Sequence, residues 1–235
     1  EVLRQFKGFS YFTEMSDIIN RLEDHVASAR MKTTPVIDFE KNESLKGLDY
    51  LDTIYHAIVN EHPIQLKYRS FKARSANSFI FYPYLLKEYR NRWFVYGVRG
   101  NGRILQNLAL DRIQSLEVLP QEHYIKNTFF DPNTFFDDLV GVTKNTGSVA
   151  EKVGFKVAAA EAPYIITKPI HRSQQVMERL ADGSVILEIE VVINHELERV
   201  FFRYAEGIQV LYPQTLVELI EKKLRRAVEQ YKKPK

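Results

Sequence analysis

Cysteine is absent from all 235 residues. That excludes disulfide staples, thiolate nucleophiles and cysteine-built zinc or iron–sulfur sites, and it fits a reducing compartment. No apolar run nears the ~20 residues that span a bilayer, and the N-terminus lacks the basic-then-apolar pattern of a signal peptide. A cytoplasmic protein without a membrane partner is expected. No phosphate-cradling glycine loop is present either, because Gly97, Gly100 and Gly102 lead into strand-like rather than helical sequence. The six histidines are scattered without metal-ligand spacing, and in "HELER", from His195, Arg199 stands where a zincin helix needs its second histidine. Asp111, Asp137 and Asp138 have cheaper roles as turn or helix-face residues than as catalytic carboxylates. The expectation is therefore a protein with no catalytic residue, no metal site and no cofactor.

What is present is an ordinary folding composition with an uneven charge. Hydrophobic residues make up 45% and charged residues 27%, which is globular rather than disordered. The net charge of +3 conceals an asymmetry: from Gln65 to Arg103 nine basic residues stand against one acid, Glu88, so this stretch carries +8 and the remainder −5. A localised positive field points to an anionic partner.

Periodicity divides the chain. Met15, Ile18, Ile19, Leu22 and Val26 predict an amphipathic helix over Thr13–Val26, with Thr13 as a cap. Lys32–Glu43, polar and broken by Pro35, reads as a linker. A second helix is predicted over Ser44–Asn60, with Leu48, Leu51, Ile54, Tyr55 and Ile58 on one side, ending at His62-Pro63. Five short β runs follow, "IQLKYRSF", "SFIFYPYLLKEY", "RWFVYGVR", "RILQNLALD" and "IQSLEVL", with turn chemistry at Glu88–Asn91 and Gly100–Gly102. This spacing suggests a small, strongly bent sheet or barrel closed off by Pro120. Beyond a linker comes β-α-β-β-α-β and a terminal helix, the ferredoxin-like order, with a hairpin at Asp182-Gly183. Leu216, Ile220, Leu224, Ala227 and Tyr231 are the expected buried stripe of that last helix. The overall expectation is an α+β chain.

"RWFVYGVRG", Arg92–Gly100, sets cations beside large rings on one strand. Alternation puts Arg92, Phe94 and Tyr96 on one face and Trp93, Val95 and Gly97 on the other. Most such rings fill cores, yet packing does not account for the +8. Guanidinium forks match phosphate oxygens and rings stack on bases, so Lys67, Tyr68, Arg69, Arg92, Trp93 and Arg112 together suit a nucleic acid or nucleotide.

These residues resemble a family. "IQLKYRSF…FIFYPYLLKEYRNRWFVYGVRGNGRILQNLALDRIQSLEVL" looks like a WYL domain: the namesake Trp-Tyr-Leu falls on Trp93-Phe94-Val95, with Tyr68-Arg69, Pro83 and Leu110-Asp111-Arg112-Ile113 in matching order. Val149–Lys235 resembles the WCX extension that follows such domains. The resemblance implies an Sm-like, SH3-type β-barrel, an upstream winged helix-turn-helix missing from this chain, and a ferredoxin-like tail. An opening at Glu1 that reads as mid-domain agrees with a fragment of a longer polypeptide. The implied organisation is a helical and linker segment over 1–62, the WYL barrel over 63–125, a linker over 126–148 and WCX over 149–235.

The resemblance further implies an effector sensor in a bacterial transcriptional regulator. It would bind single-stranded nucleic acid or a nucleotide effector, and would control binding to promoter DNA through the upstream domain. Tyr68, Arg69, Trp93 and Arg112 carry over as ligand-binding residues; Arg92 joins them on charge alone. Phe94 lacks the hydroxyl of the family's tyrosine and so removes one hydrogen bond. A homodimer is also expected. The rival reading is a non-enzymatic dimerisation or assembly module without sensing, motivated by Phe6, Phe9, Tyr11 and Phe12. A nucleic-acid enzyme is the third reading, and no carboxylate cluster accompanies the bases to support it.

Overall fold

The computed structural model describes residues 46–232 apart from 101 and 103, so the helix expected over Thr13–Val26, the Phe6–Phe12 aromatics and Arg103 lie outside the described residues. The chain divides into two compact units, one ending at Phe130 and the other beginning at Asp131.

The first unit opens with a 3-10 turn, Leu48–Tyr50, running into helix α1, Leu51–Val59. Leu51, Ile54 and Ala57 are its buried face, while Tyr55, expected in the stripe, is 43% exposed. The helix ends in a Schellman pattern: the Glu61 and His62 amides donate to the Ile58 and Ala57 carbonyls, with Glu61 itself left-handed at φ 53°. Pro63 then leads into five antiparallel strands: β1 (Ile64–Tyr68), β2 (Asn77–Tyr89), β3 (Arg92–Arg99), β4 (Gln106–Ala109) and β5 (Ile113–Val118).

Their order is β4-β3-β2-β1-β5, with a 3-10 turn, Leu110–Arg112, joining the two edges. β4 and β5 share no ladder, so the expected barrel takes the form of a strongly bent, open sheet. The β2–β3 hairpin turns on Arg90 and Asn91, both at positive φ, as a two-residue loop matched to strand twist requires. The β2–β3 register shifts between Pro83 and Leu85. There Gly97 lies so close that a Cβ would stand 2.1 Å from the Tyr82 carbonyl oxygen, which leaves room for glycine alone.

Both faces of this sheet are covered. Ile64, Leu66, Phe81, Trp93, Val95 and Leu108 pack against α1 on one side. Tyr82, Tyr84 and Val98 form a second cluster on the other, beneath Tyr124, Ile125, Phe129 and Phe130. The start of the segment expected to be a linker is thus packed, and the Tyr124 hydroxyl donates to the Pro83 carbonyl. Burial raises the pKa values of both Tyr124 and Tyr84, the latter to about 12.

The second unit contains β6 (Glu151–Val157), α2 (Ala162–Thr167), β7 (Gln175–Arg179), β8 (Val185–Val191), α3 (His195–Tyr204), β9 (Ile208–Tyr212) and α4 (Gln214–Glu229). The antiparallel order β7-β8-β6-β9 is the ferredoxin-like one. Its inner face, Val153, Phe155, Leu187 and Ile189, packs on Leu197 and Phe201 of α3 and on Leu216 and Ile220 of α4. Asn194 caps α3, accepting from the Leu197 amide and donating to the Val140 and Thr143 carbonyls. Only Leu216 and Ile220 of the predicted stripe are buried: Leu224 is 37% exposed, Ala227 is exposed, and Tyr231, 88% exposed, lies beyond the end of the helix.

His171 offers a handle on this unit. Its Nδ1 accepts from the Ser173 amide, and its ring is also bonded to the Asp137 backbone. Burial lowers its pKa below the ordinary value of 6.5, so the ring stays neutral while the unfolded chain takes up a proton. Between those two pKa values the unfolded state binds more protons, so stability rises with pH and is lost on acidification below about 6.5. Comparing thermal midpoints at pH 7.5 and pH 5.5 should show this loss, and His171→Gln should shrink it; an unchanged slope in the variant would assign the pH dependence to other groups.

Candidate functional site

The site is built where β1 ends. The β1–β5 register shifts between Lys67 and Tyr68, and the chain turns so that the Arg69 amide donates to the Arg112 carbonyl at 3.1 Å. This bond holds the 69–76 loop against the 3-10 turn. Between them lies a cleft of about 300 Å³ lined by Arg69, Ser70, Phe71, Asp111, Arg112 and Gln114.

Arg112 is the centre of it. Its guanidinium lies 4.5 Å from the centroid of the Phe71 ring, and it approaches the Tyr68 hydroxyl as a charge and as a hydrogen-bond donor. Burial is nonetheless the largest influence on Tyr68 and raises its pKa above the ordinary 10, so the phenol stays protonated at neutral pH. Asp111 pairs with Arg92 at 3.2 Å and faces the Arg112 Nε at 3.8 Å, too far for a hydrogen bond. The Asp111 Oδ1 and the Arg112 Nε are both buried and neither makes a hydrogen bond. A buried charged atom without a hydrogen bond costs about 1–3 kcal/mol, so this arrangement is receptive to a polar group that reaches both.

Of the five expected residues, Arg69 and Arg112 line this cleft, while Tyr68 touches it through Arg112 and Arg92 through its pair with Asp111. Trp93 does not join them. It is 7% exposed and packs in the core beside Val95 and Leu108, because alternation from the exposed Arg92 turns it inward. Its role is packing. Phe71 was passed over in the sequence, where nothing distinguishes a loop phenylalanine from a core one, yet it is 73% exposed and stacked on Arg112. Among the described residues no group of three or more histidines, aspartates or glutamates is arranged to hold a metal ion, and no helix is long and apolar enough to cross a membrane.

The sequence of this bent sheet matches the model of the WYL domain over residues 49–118, and residues 150–228 match that of the WCX domain. The chain carries a WYL domain followed by a WCX domain. Its WYL domain takes in α1 and all five strands of the first sheet, and its WCX domain takes in the ferredoxin-like sheet. No curated protein matches. Among solved structures, proteasome accessory factor B/C (PafBC) of Arthrobacter aurescens is similar at 16% identity and a TM-score of 0.33, with 82% of this chain and 28% of that one covered. A CRISPR Cas-related protein is similar at 10% identity and a TM-score of 0.47, with 79% and 52% covered. The WYL chain thus spans about a quarter and about half of the lengths of those two structures.

Trp93 is the only tryptophan in the chain and serves as a reporter of the WYL core. Its emission should be blue-shifted in the native protein and move to the red on unfolding in urea, while ligands at the Arg112 cleft leave its maximum in place. Trp93→Ala should cost about 3–5 kcal/mol, as truncation of large buried rings does; ligand loss with unchanged stability in that variant would place the indole at the binding surface instead.

Proposed function

We infer that this chain is the sensing part of a transcriptional regulator and that its WYL domain binds a single-stranded nucleic acid or a nucleotide at the Arg112 cleft. WYL and WCX domains are regulatory modules, and the reading is non-enzymatic. The observation that carries it is the Arg112 guanidinium, stacked on an exposed ring, beside Arg69, with its Nε buried and lacking a hydrogen bond although the Asp111 carboxylate stands 3.8 Å away.

A guanidinium held in this way presents a planar donor fork to phosphate, and the adjoining ring gives a base a stacking surface worth about 1–3 kcal/mol. Asp111 is shared between Arg92 and Arg112, so one negative charge is set against two guanidiniums and the local charge stays positive. Occupancy of the cleft would favour one conformation of the regulator over another and so change its affinity for promoter DNA through a domain outside this chain.

Fluorescence anisotropy with labelled single-stranded DNA and RNA tests this. Affinity should fall log-linearly with salt at a slope near −0.7 per phosphate contacted. Arg69→Ala combined with Arg112→Ala should abolish most of the binding and flatten the slope by roughly 1.4. Undiminished affinity in the double variant would refute the site.

The assembly reading also has an observation in its favour, the exposed Leu224 and Val228 on α4 and Tyr231 just past its end. Leu224 and Val228 lie four residues apart, on one side of the helix. If a second copy covers them, sedimentation velocity of the full chain should show a dimer that Leu224→Asp with Val228→Asp converts to monomer. A monomer throughout the micromolar range would exclude it.

A further inference from the structure

A second depression adjoins the first. It measures about 170 Å³ and is lined by Tyr68, Ser70, Asn77, Phe79, Arg99 and Gln106, among others. Ser70 lines both clefts, and Tyr68, which lines the second, is the residue that Arg112 of the first approaches. The two are neighbours across the root of one loop.

The second cleft repeats the device of the first. The Arg99 guanidinium lies 4.0 Å from the centroid of the Phe79 ring, as that of Arg112 lies 4.5 Å from Phe71. Arg99 is exposed at the end of β3, and among the described residues it pairs with no carboxylate. Unlike Arg92, it has kept its charge free. An arginine plane fixed on a ring offers its outer face to a base and its edge to a phosphate. The side chains of Asn77 and Gln106 bring to this cleft amides that combine donors and an acceptor, the complement of a base edge.

We propose that the Arg99–Phe79 cleft is a second nucleotide subsite, so that the WYL domain takes a ligand of at least two linked nucleotides, one phosphate at Arg112 and the next nucleotide at Arg99. This rests on the nucleotide reading of the Arg112 cleft and specifies the ligand's length. Two guanidinium-on-ring platforms separated by Ser70 favour a connected chain over a single nucleotide, because the second contact is made at the effective concentration set by the link.

The test uses the full 235-residue chain with 5′-phosphorylated thymidine mono-, di- and tetranucleotides, measured by calorimetry at low salt. The dinucleotide should bind at least tenfold more tightly than the mononucleotide, with little further gain for the tetranucleotide. Arg99→Ala should remove that gain and leave the mononucleotide affinity unchanged; Arg112→Ala should weaken all three probes. Equal affinity for mono- and dinucleotide, with Arg99→Ala inert, would overturn the second subsite and leave the first standing. Binding of none of the probes by the native chain would overturn both. Phe79 also packs on the core beside Phe81, so Phe79→Leu should lower the thermal midpoint a little, but it should lower dinucleotide affinity while leaving mononucleotide affinity in place, which a merely structural role would not do.

Discussion

The hydrogen bond from the Arg69 amide to the Arg112 carbonyl organises the WYL domain's surface. It extends the β1–β5 ladder past the point where the register shifts, and thereby clamps a loop of cationic and aromatic residues to a short 3-10 turn. Every element of the cleft hangs on one side or the other of that clamp. Phe71 and Ser70 come with the loop, Asp111 and Arg112 with the turn. Because both partners are backbone atoms, the clamp survives side-chain substitution, so variants of the arginines report on binding rather than on the scaffold.

The scaffold beneath is unusually well covered for a small sheet. β3 has the α1 core on one face and the Tyr124–Phe130 segment on the other, so of its eight residues only the terminal arginines are exposed. That arrangement separates tasks along one strand: the middle packs, and Arg92 and Arg99 emerge at opposite ends. One is spent on Asp111 and the other on the Phe79 ring. Position within the strand, rather than residue type, decides which arginine is committed to an internal pair.

Much of this was written in the sequence. Period-two runs and the turn residues placed the five strands, and the β-α-β-β-α-β order gave the ferredoxin-like unit, because both signals are local. The cluster Tyr68, Arg69, Arg92 and Arg112 was legible from charge and motif order. The inward face of Trp93 was harder to read, since Tyr96 and Val98 on the opposite face are buried too and alternation alone does not say which side is core. Phe71 and the packed role of Tyr124 and Phe129 depend on contacts between residues distant in sequence, which no local pattern encodes. The rear of α4 misled for the reverse reason: a helical stripe records what a helix is able to bury, and not what lies opposite.

Asp111 lends the site a further property. A carboxylate lodged among the arginines acts as a resident counter-ion, so the pocket is never bare of negative charge. Any anion entering must outbid a tethered competitor present at high local concentration. Chloride or free phosphate, with one point of attachment, is poorly equipped for that contest. The acid set among the bases therefore acts as a threshold against small anions at this cleft.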